Sequence, residues 1–257
     1  MDLAVSTASK ATSQEAVKHF SELLASVGVP SILWGEFLLN VYGVPSIVGG
    51  IDFVIPDDEM PLAVATLKRS TLRPCPNLDA CVVSGDSSPF PVPAFHMHMQ
   101  GCEIDVSLRL HLETLWFMPP PETPCRSREE LAAKPNPYYI EASSPELPPW
   151  RPGRGHGAFS SHGSPVLVPR AHVLLEAFIR LASAFRADYC SYFLNMIAYM
   201  VQYPFEDGLI NTNLLSGPCR SFWDGYRQGR LTVRQLVNRL QHALGDSTDR
   251  DSNFSSE

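Results

Sequence analysis

The sequence predicts an α/β protein in which a mixed sheet is flanked by helices and is followed by a helical C-terminal part. The first observation is that a β-rich run ends at Gly35, a short helical pattern closes at Gly43, and a second apolar run spans residues 49–56. The second is the alternation of polar and apolar residues over 102–110, which is typical of a half-buried strand. The third is a broad apolar stripe over 170–185, which is typical of a packed helix.

Composition limits the classes of function. The chain has 257 residues, and 27 acidic against 20 basic side chains give a formal charge of -7, which disfavours nucleic acid as a partner. No apolar run approaches the roughly 20 residues of a membrane span, so we expect no membrane segment. The N-terminus has an acid at Asp2 and no long apolar stretch, which argues against a secretory signal, so we expect a cytoplasmic protein.

The cysteine and histidine patterns predict no metal site. The six cysteines contain no C-x-x-C pair, which argues against both a zinc site and a disulfide framework. His96 and His98 would share one face of a strand, but no third ligand follows at a suitable spacing. A solvated strand face is therefore the favoured interpretation of this histidine pair.

Helices and strands alternate along the first part of the chain. A flexible N-terminus over 1–12 is followed by a capping-box pattern from Thr12 to Glu15, and apolar residues then recur at helical spacing over about 13–27. A helix beginning near Met60 must end before Pro74. Three further strands are predicted, at Ala80–Val83, Phe95–Met99 and Cys102–Leu110.

The last predicted strand separates polar from apolar side chains. Glu103, Asp105 and Ser107 fall on one face of this strand, and Ile104, Val106 and Leu108 fall on the other. Two acids therefore share a side.

Composition then divides the remainder of the chain. The α/β core is predicted over 13–116, a Pro/Gly-rich insertion or linker over 117–165, a strand and helices over 166–244, and a disordered tail over 245–257. Within the C-terminal part the predicted elements are a strand at 166–169 and helices at 170–185, 189–202 and 231–244.

The stretch from Val29 to Pro56 resembles the opening of the nucleotidyltransferase fold. In that superfamily a strand, a Gly-Gly or Gly-Ser turn, a helix and a strand carrying Asp-x-Asp follow one another. The resemblance is closest to a divergent branch that includes bacterial antitoxin-associated transferases and many proteins of filamentous fungi. The leucine-rich helix followed by Arg186-Ala-Asp188 is also similar to that branch.

The resemblance implies roles for individual residues. Gly35 matches the first glycine of the turn, whose backbone approaches phosphate, while Asp52 and Asp105 match the second and third metal-binding acids. The implied cofactor is Mg²⁺, held by carboxylates together with the phosphates of a nucleoside triphosphate. Trp34, beside the turn, would either stack on a base or pack against the first helix.

Two positions depart from the family pattern. Gly50 stands where the family has its first aspartate, and Glu36 stands where it has a second glycine or serine. Glu36 or Glu103 could supply the missing carboxylate, and our hypothesis is that Glu36 reaches into the space left by the absent side chain at Gly50.

Two functions are therefore left open. One is metal-dependent transfer of a nucleoside monophosphate from a triphosphate to a small molecule or a protein. The other is a catalytically lapsed or repurposed member that acts as a binding or accessory factor, in the fungal specialised metabolism that the resemblance implies.

Overall fold

Two compact units, Met1–Arg170 and Ala171–Glu257, make up the computed structural model of this chain. The residues that it describes are 2–85, 88, 90–99, 104–124, 128, 135–185 and 187–245, without the side chains of 2–13, 187 and 188. The predicted roles of Glu103 and Arg186 and the predicted disorder after residue 245 lie outside these residues, as does the side chain of Asp188.

A seven-stranded mixed sheet forms the first unit, with strand order β3-β4-β5-β2-β1-β7-β6. The pairs β1 with β2, β3 with β4, β4 with β5 and β6 with β7 are antiparallel, whereas β2 with β5 and β1 with β7 are parallel. Its elements are α1 (Asp2–Ser26), β1 (Ile32–Trp34), α2 (Gly35–Val41), β2 (Gly50–Ile55), α3 (Met60–Lys68), β3 (Arg73–Pro74), β4 (Phe95–His98), β5 (Asp105–Leu110), α4 (His111–Thr114), β6 (Tyr139–Glu141) and β7 (Leu167–Pro169). The predicted α/β class with a mixed sheet and flanking helices is confirmed.

The register of β2 places its acid on a defined face. Asp52 is opposite Trp34 of β1 and Ser107 of β5, and Gly50 is opposite Asp105. Directly paired residues share a face of a sheet, so Asp52 and Asp105 lie on the same side. The alternate residues of β2 point to the opposite face and are fully buried there: Ile51, Phe53 and Ile55.

The alternation of side chains between the two faces also explains which residues of β5 are buried. Val106 and Leu108 are fully buried, whereas Asp105 and Arg109 are only partly buried on the other face. The predicted division of this strand into an apolar and a polar face is therefore confirmed for its described residues.

Two local predictions in the first unit are wrong. The residues Ala80–Val83 form turns rather than a strand, and the local hydrogen bonds from the N–H groups of Ser84 and Gly85 to the carbonyl of Cys81 close that turn. The first helix begins at Asp2 rather than near residue 13, because no glycine or proline interrupts the chain before it.

The Pro/Gly-rich segment over 117–165 contributes to the first unit. It contains β6, and the side chains of Leu147 and Phe159 are buried. The N–H group of Gly157 donates to the carbonyl of Asn40 in α2 at 3.0 Å. Because this segment contributes a strand, buried side chains and a hydrogen bond to α2, it is part of the folded first unit and not a solvated linker.

The second unit is helical. It comprises α5 (Ala171–Ala184), α6 (Ala187–Met200), a π-helical turn (Val201–Phe205), a short 3₁₀ turn (Thr212–Leu214), α7 (Gly217–Gln228) and α8 (Val233–Leu244). Three of these helices match predicted ones, and α7 was not predicted. None of the described helices combines the length and apolarity that crossing a membrane requires.

Candidate functional site

The glycine turn after β1 lies directly against the acid of β2. Gly35 has φ +69°, a left-handed conformation that favours glycine. A Cβ atom at this position would stand 2.8 Å from Oδ2 of Asp52. Backbone conformation and close approach therefore both require glycine here.

An arginine holds the other oxygen of this carboxylate. Nε of Arg109 donates to Oδ1 of Asp52 at 2.8 Å, and Nη1 donates to the carbonyl of Pro91 at 2.8 Å. The Arg109 and Asp52 side chains are only 17% and 16% exposed, so the ion pair is largely withdrawn from solvent. This contact fixes the carboxylate so that Oδ2 faces the Gly35 turn.

Glu36 reaches Gly49, whereas the nearest atoms to a Cβ added at Gly50 belong to Asp105, so the structure gives no contact that supports our hypothesis that Glu36 fills the space at Gly50. Oε2 of Glu36 accepts a hydrogen bond from the N–H of Gly49 at 3.3 Å, and a Cβ at Gly49 would lie 3.9 Å from the same oxygen. Burial raises the pKa of Glu36, and the charge of Asp52 adds a smaller increase against the lowering effect of the Gly49 N–H. Glu36 and Asp52 are therefore near neighbours whose negative charges repel.

Asp105 contacts a residue of β4, the neighbouring strand on the side of β5 away from β2. Its Oδ1 lies 2.5 Å from Nδ1 of His98, which belongs to β4, and β4 flanks β5 on the side away from β2. Strand spacing places the Cα atoms of Asp52 and Asp105 about 8 Å apart. The two acids thus share a face but have different partners, Arg109 for one and His98 for the other.

Trp34 belongs to the core. Its side chain is only 5% exposed, opposite Asp52 in the sheet, which leaves no open ring face on which a base could stack. Of the two roles expected for Trp34, packing agrees better with this position.

Glu36 and Asp52 are two carboxylates close enough for the charge of one to raise the pKa of the other. A hard divalent cation such as Mg²⁺ takes oxygen ligands from one or two carboxylates and completes its shell with water and phosphate. Glu36 and Asp52 carry such oxygens beside the buried Gly35 turn. The sequence predicted that Asp52 and Asp105 hold the metal with help from Glu36 or Glu103, but it could not show that His98 contacts Asp105.

Sequence reasoning also missed a cluster on the β3–β4 edge. The potential ligand atoms of Cys75, Cys81, His96 and His98 all lie within 4.8 Å of one another. The expectation of a solvated histidine face is wrong for His96, which is only 5% exposed. Two cysteines six positions apart, followed by His-x-His on the next strand, were the available signal.

Comparisons with protein-family models, with curated proteins and with solved structures found no match for this chain.

Proposed function

We propose that this chain is a divergent nucleotidyltransferase-fold protein that binds a nucleoside triphosphate with Mg²⁺ and transfers the nucleoside monophosphate to a small molecule or a protein. The observation that carries the proposal is the Gly35 turn against the Asp52 carboxylate. Its order of strand, left-handed glycine, helix and acid-bearing strand follows the arrangement that the resemblance implies.

The donor set fits the implied ion. Glu36 is partly buried, and the charge of Asp52 contributes to its raised pKa, so a cation between the two carboxylates would relieve a repulsion that is already present. We assign the ion to Glu36 and Asp52, and not to Asp52 with Asp105. When bound there, Mg²⁺ would neutralise the phosphates and assist the departure of the pyrophosphate.

The remaining groups have supporting roles in this proposal. Gly35 leaves room for the Asp52 carboxylate beside the turn because it has no side chain. Arg109 orients Asp52 through Oδ1 and leaves Oδ2 toward the turn. Glu36, whose Oε2 accepts from the N–H of Gly49, would supply the carboxylate that is missing at Gly50.

A second candidate function is a lapsed or repurposed member of the fold that binds another ligand in the same place. Arg109 favours it, because its guanidinium already compensates the charge of Asp52 at 2.8 Å. A carboxylate held in this way binds a divalent cation less strongly, since the cation must compete with an existing ion pair.

Thermal unfolding with ATP, GTP, CTP or UTP, each with and without Mg²⁺, tests nucleotide binding. A nucleotide at a hundredfold excess over its dissociation constant stabilises the folded state by about 2.7 kcal/mol. We expect one nucleotide to stabilise the protein only with Mg²⁺, and Glu36→Gln to abolish this effect. Stabilisation by no nucleotide would overturn the proposal.

Transfer is tested with the nucleotide that binds, labelled at the α-phosphate. Covalent label on the protein or on a small molecule from a cell extract would support transfer. Binding without any label transfer would favour the second candidate. Glu22→Gln, on the exposed surface of α1, is the matched control for Glu36→Gln.

A further inference from the structure

Four metal-binding side chains converge at the β3–β4 edge of the sheet. His96 and His98 belong to β4, Cys75 directly follows β3, and Cys81 lies in the turn beyond it. All four ligand atoms lie within 4.8 Å of one another. We propose that this cluster binds one Zn²⁺ ion as a closed structural site.

The distances suit tetrahedral zinc. Zinc bonds of about 2.3 Å to sulfur and about 2.0 to 2.1 Å to nitrogen place ligand atoms roughly 3.3 to 3.8 Å from one another. Sγ of Cys81 and Nε2 of His96 are 3.5 Å apart. No separation in the cluster is larger than 4.8 Å, so any excess over the tetrahedral range is at most about 1 Å, which small side-chain rotations can close.

The two imidazoles are arranged to converge. The ring centroids of His96 and His98 are 5.3 Å apart, and the ring planes are inclined by 83°, so the rings do not stack. Nε2 of His96 faces Cys81, and His98 has Nε2 available because its Nδ1 contacts Asp105. Both histidines therefore offer the same ring nitrogen to the ion.

Asp105 contacts one of the four proposed ligands, His98. A histidine that binds a metal commonly donates its other N–H to a carboxylate, which fixes the ring and raises the basicity of the ligand. The contact from Nδ1 of His98 to Oδ1 of Asp105 has this form. Asp105 is therefore a positioning residue for the zinc site.

The loop that carries the cysteines is held locally. The carbonyl of Cys81 accepts hydrogen bonds from the N–H groups of Ser84 and Gly85, at 3.3 and 2.7 Å. A Cβ at Gly85 would lie 2.4 Å from the carbonyl oxygen of Asp79, so only glycine fits this turn. These contacts hold Cys81 in place beside β4.

Apolar burial does little to attach this loop to the sheet. Leu78 and Val82, two large aliphatic side chains of this loop, are 57% and 72% exposed. A metal ion that joins Cys75 and Cys81 to β4 would supply the attachment, because the binding free energy of a structural zinc contributes directly to folding.

The donor set selects the metal and its role. Two thiolates and two imidazoles in tetrahedral geometry are typical of zinc. Four protein ligands leave no open position for water or substrate, which indicates a structural rather than a catalytic ion. The two cysteines are free thiols in the structure.

The metal content of the purified full-length chain, prepared with a reducing agent, tests the proposal. We expect one zinc per chain by elemental mass spectrometry, and loss of that zinc in Cys81→Ser and in His96→Asn. Cys190→Ser and His19→Gln are matched controls outside the cluster and should retain it. Asp105→Asn should keep the site but weaken zinc affinity roughly 10- to 100-fold.

The absorption spectrum of bound Co²⁺ reports the coordination geometry and the ligands directly, which a measurement of folding does not. Co²⁺ in the wild-type chain should show the intense visible bands of tetrahedral coordination and a thiolate charge-transfer band. Cys81→Ser should lose both signals, because it no longer holds the metal. A wild-type chain that binds no zinc after loading, or a Cys75–Cys81 disulfide under reducing conditions, would overturn the proposal. Zinc content does not depend on nucleotide binding, so the two proposals fail independently.

Discussion

The Cα of Gly35 faces the carboxylate of Asp52 so closely that an added methyl group would lie 2.8 Å from Oδ2. The turn and the acid therefore constrain each other: the acid can occupy its position only while the turn has no side chain. This relationship makes Gly35 informative in any test of the site.

Gly35→Ala should impair the site beyond its effect on the backbone. We expect a loss of about 1 to 3 kcal/mol in the free energy of unfolding, from the left-handed φ and from displacement of Asp52. Gly153→Ala is the matched control, since Gly153 has φ +74° with nothing within 4 Å of the added Cβ. Urea denaturation of both variants separates backbone strain from the contact with Asp52. Equal losses in the two variants would contradict the close approach.

The ion pair between Arg109 and Asp52 should contribute measurably to stability. A double-mutant cycle with Arg109→Met and Asp52→Asn should give a coupling energy of about 1 to 2 kcal/mol, because both side chains are largely buried. The same cycle on Arg220 and Asp224, an exposed pair one helical turn apart, should give about 0.3 to 0.5 kcal/mol. Indistinguishable coupling energies would mean that burial adds nothing to the Arg109 contact.

Stability should fall in mild acid partly because of His111. This side chain is 2% exposed, and its Nε2 has no hydrogen-bond partner among the described residues. Burial lowers its pKa from 6.5, against a smaller opposing effect of Asp57. Below pH 6.5 the unfolded chain therefore takes up a proton that folded His111 resists, and the free energy of unfolding decreases as the pH falls.

Substitution of His111 checks this sign. We expect His111→Gln to reduce the loss of stability between about pH 7 and pH 5, by at most about 1.4 kcal/mol per pH unit. His19→Gln, on the exposed face of α1, is the matched control for the removal of an imidazole. Urea denaturation at several pH values gives the comparison, and an unchanged slope in His111→Gln would count against the assignment.

Glu176 should be the most sensitive charge in the helical unit. It is 7% exposed, with Oε1 accepting from Nε and Nη2 of Arg180 and Oε2 accepting from the N–H of Ser216. Glu176→Gln removes the carboxylate charge that faces the partly buried guanidinium of Arg180 and should cost about 3 kcal/mol in the free energy of unfolding.

A second variant tests whether the cost arises from the uncompensated charge. Glu176→Leu combined with Arg180→Met removes both charges and should recover most of the loss in denaturant titrations. If the double variant is less stable than Glu176→Gln, packing rather than charge explains the effect.

Patterns with a strong local cause were predictable. The alternation in β5 comes from burial of one strand face, and the apolar stripe of α5 comes from burial of one helix face, so both were visible in the sequence. The turn at Gly35 was visible because a glycine interrupts an apolar run. By contrast, α7 has Gly217 and Pro218 in its first turn and few apolar residues, which concealed it.

Contacts between distant segments were not predictable in the same way. The partner of Asp105 is His98 on β4, and the partner of Asp52 is Arg109 on β5, two choices that depend on strand order and register. Of the two cysteines in the β3–β4 cluster, Cys81 lies in a turn that was predicted as a strand. Each of these misses is a tertiary pairing that one-dimensional spacing does not encode.

β1 pairs in parallel with β7, with Ile32 opposite Leu167, although these residues lie far apart in the sequence of the first unit. During synthesis, β1 can pair with β2 as soon as both leave the ribosome, but its other edge has no partner until β7 follows. That edge stays open to other chains while residues 35–166 are synthesised, and the high contact order slows its closure. Fragments that stop before β7 should therefore aggregate, and expression of the first unit should require the chain through Pro169.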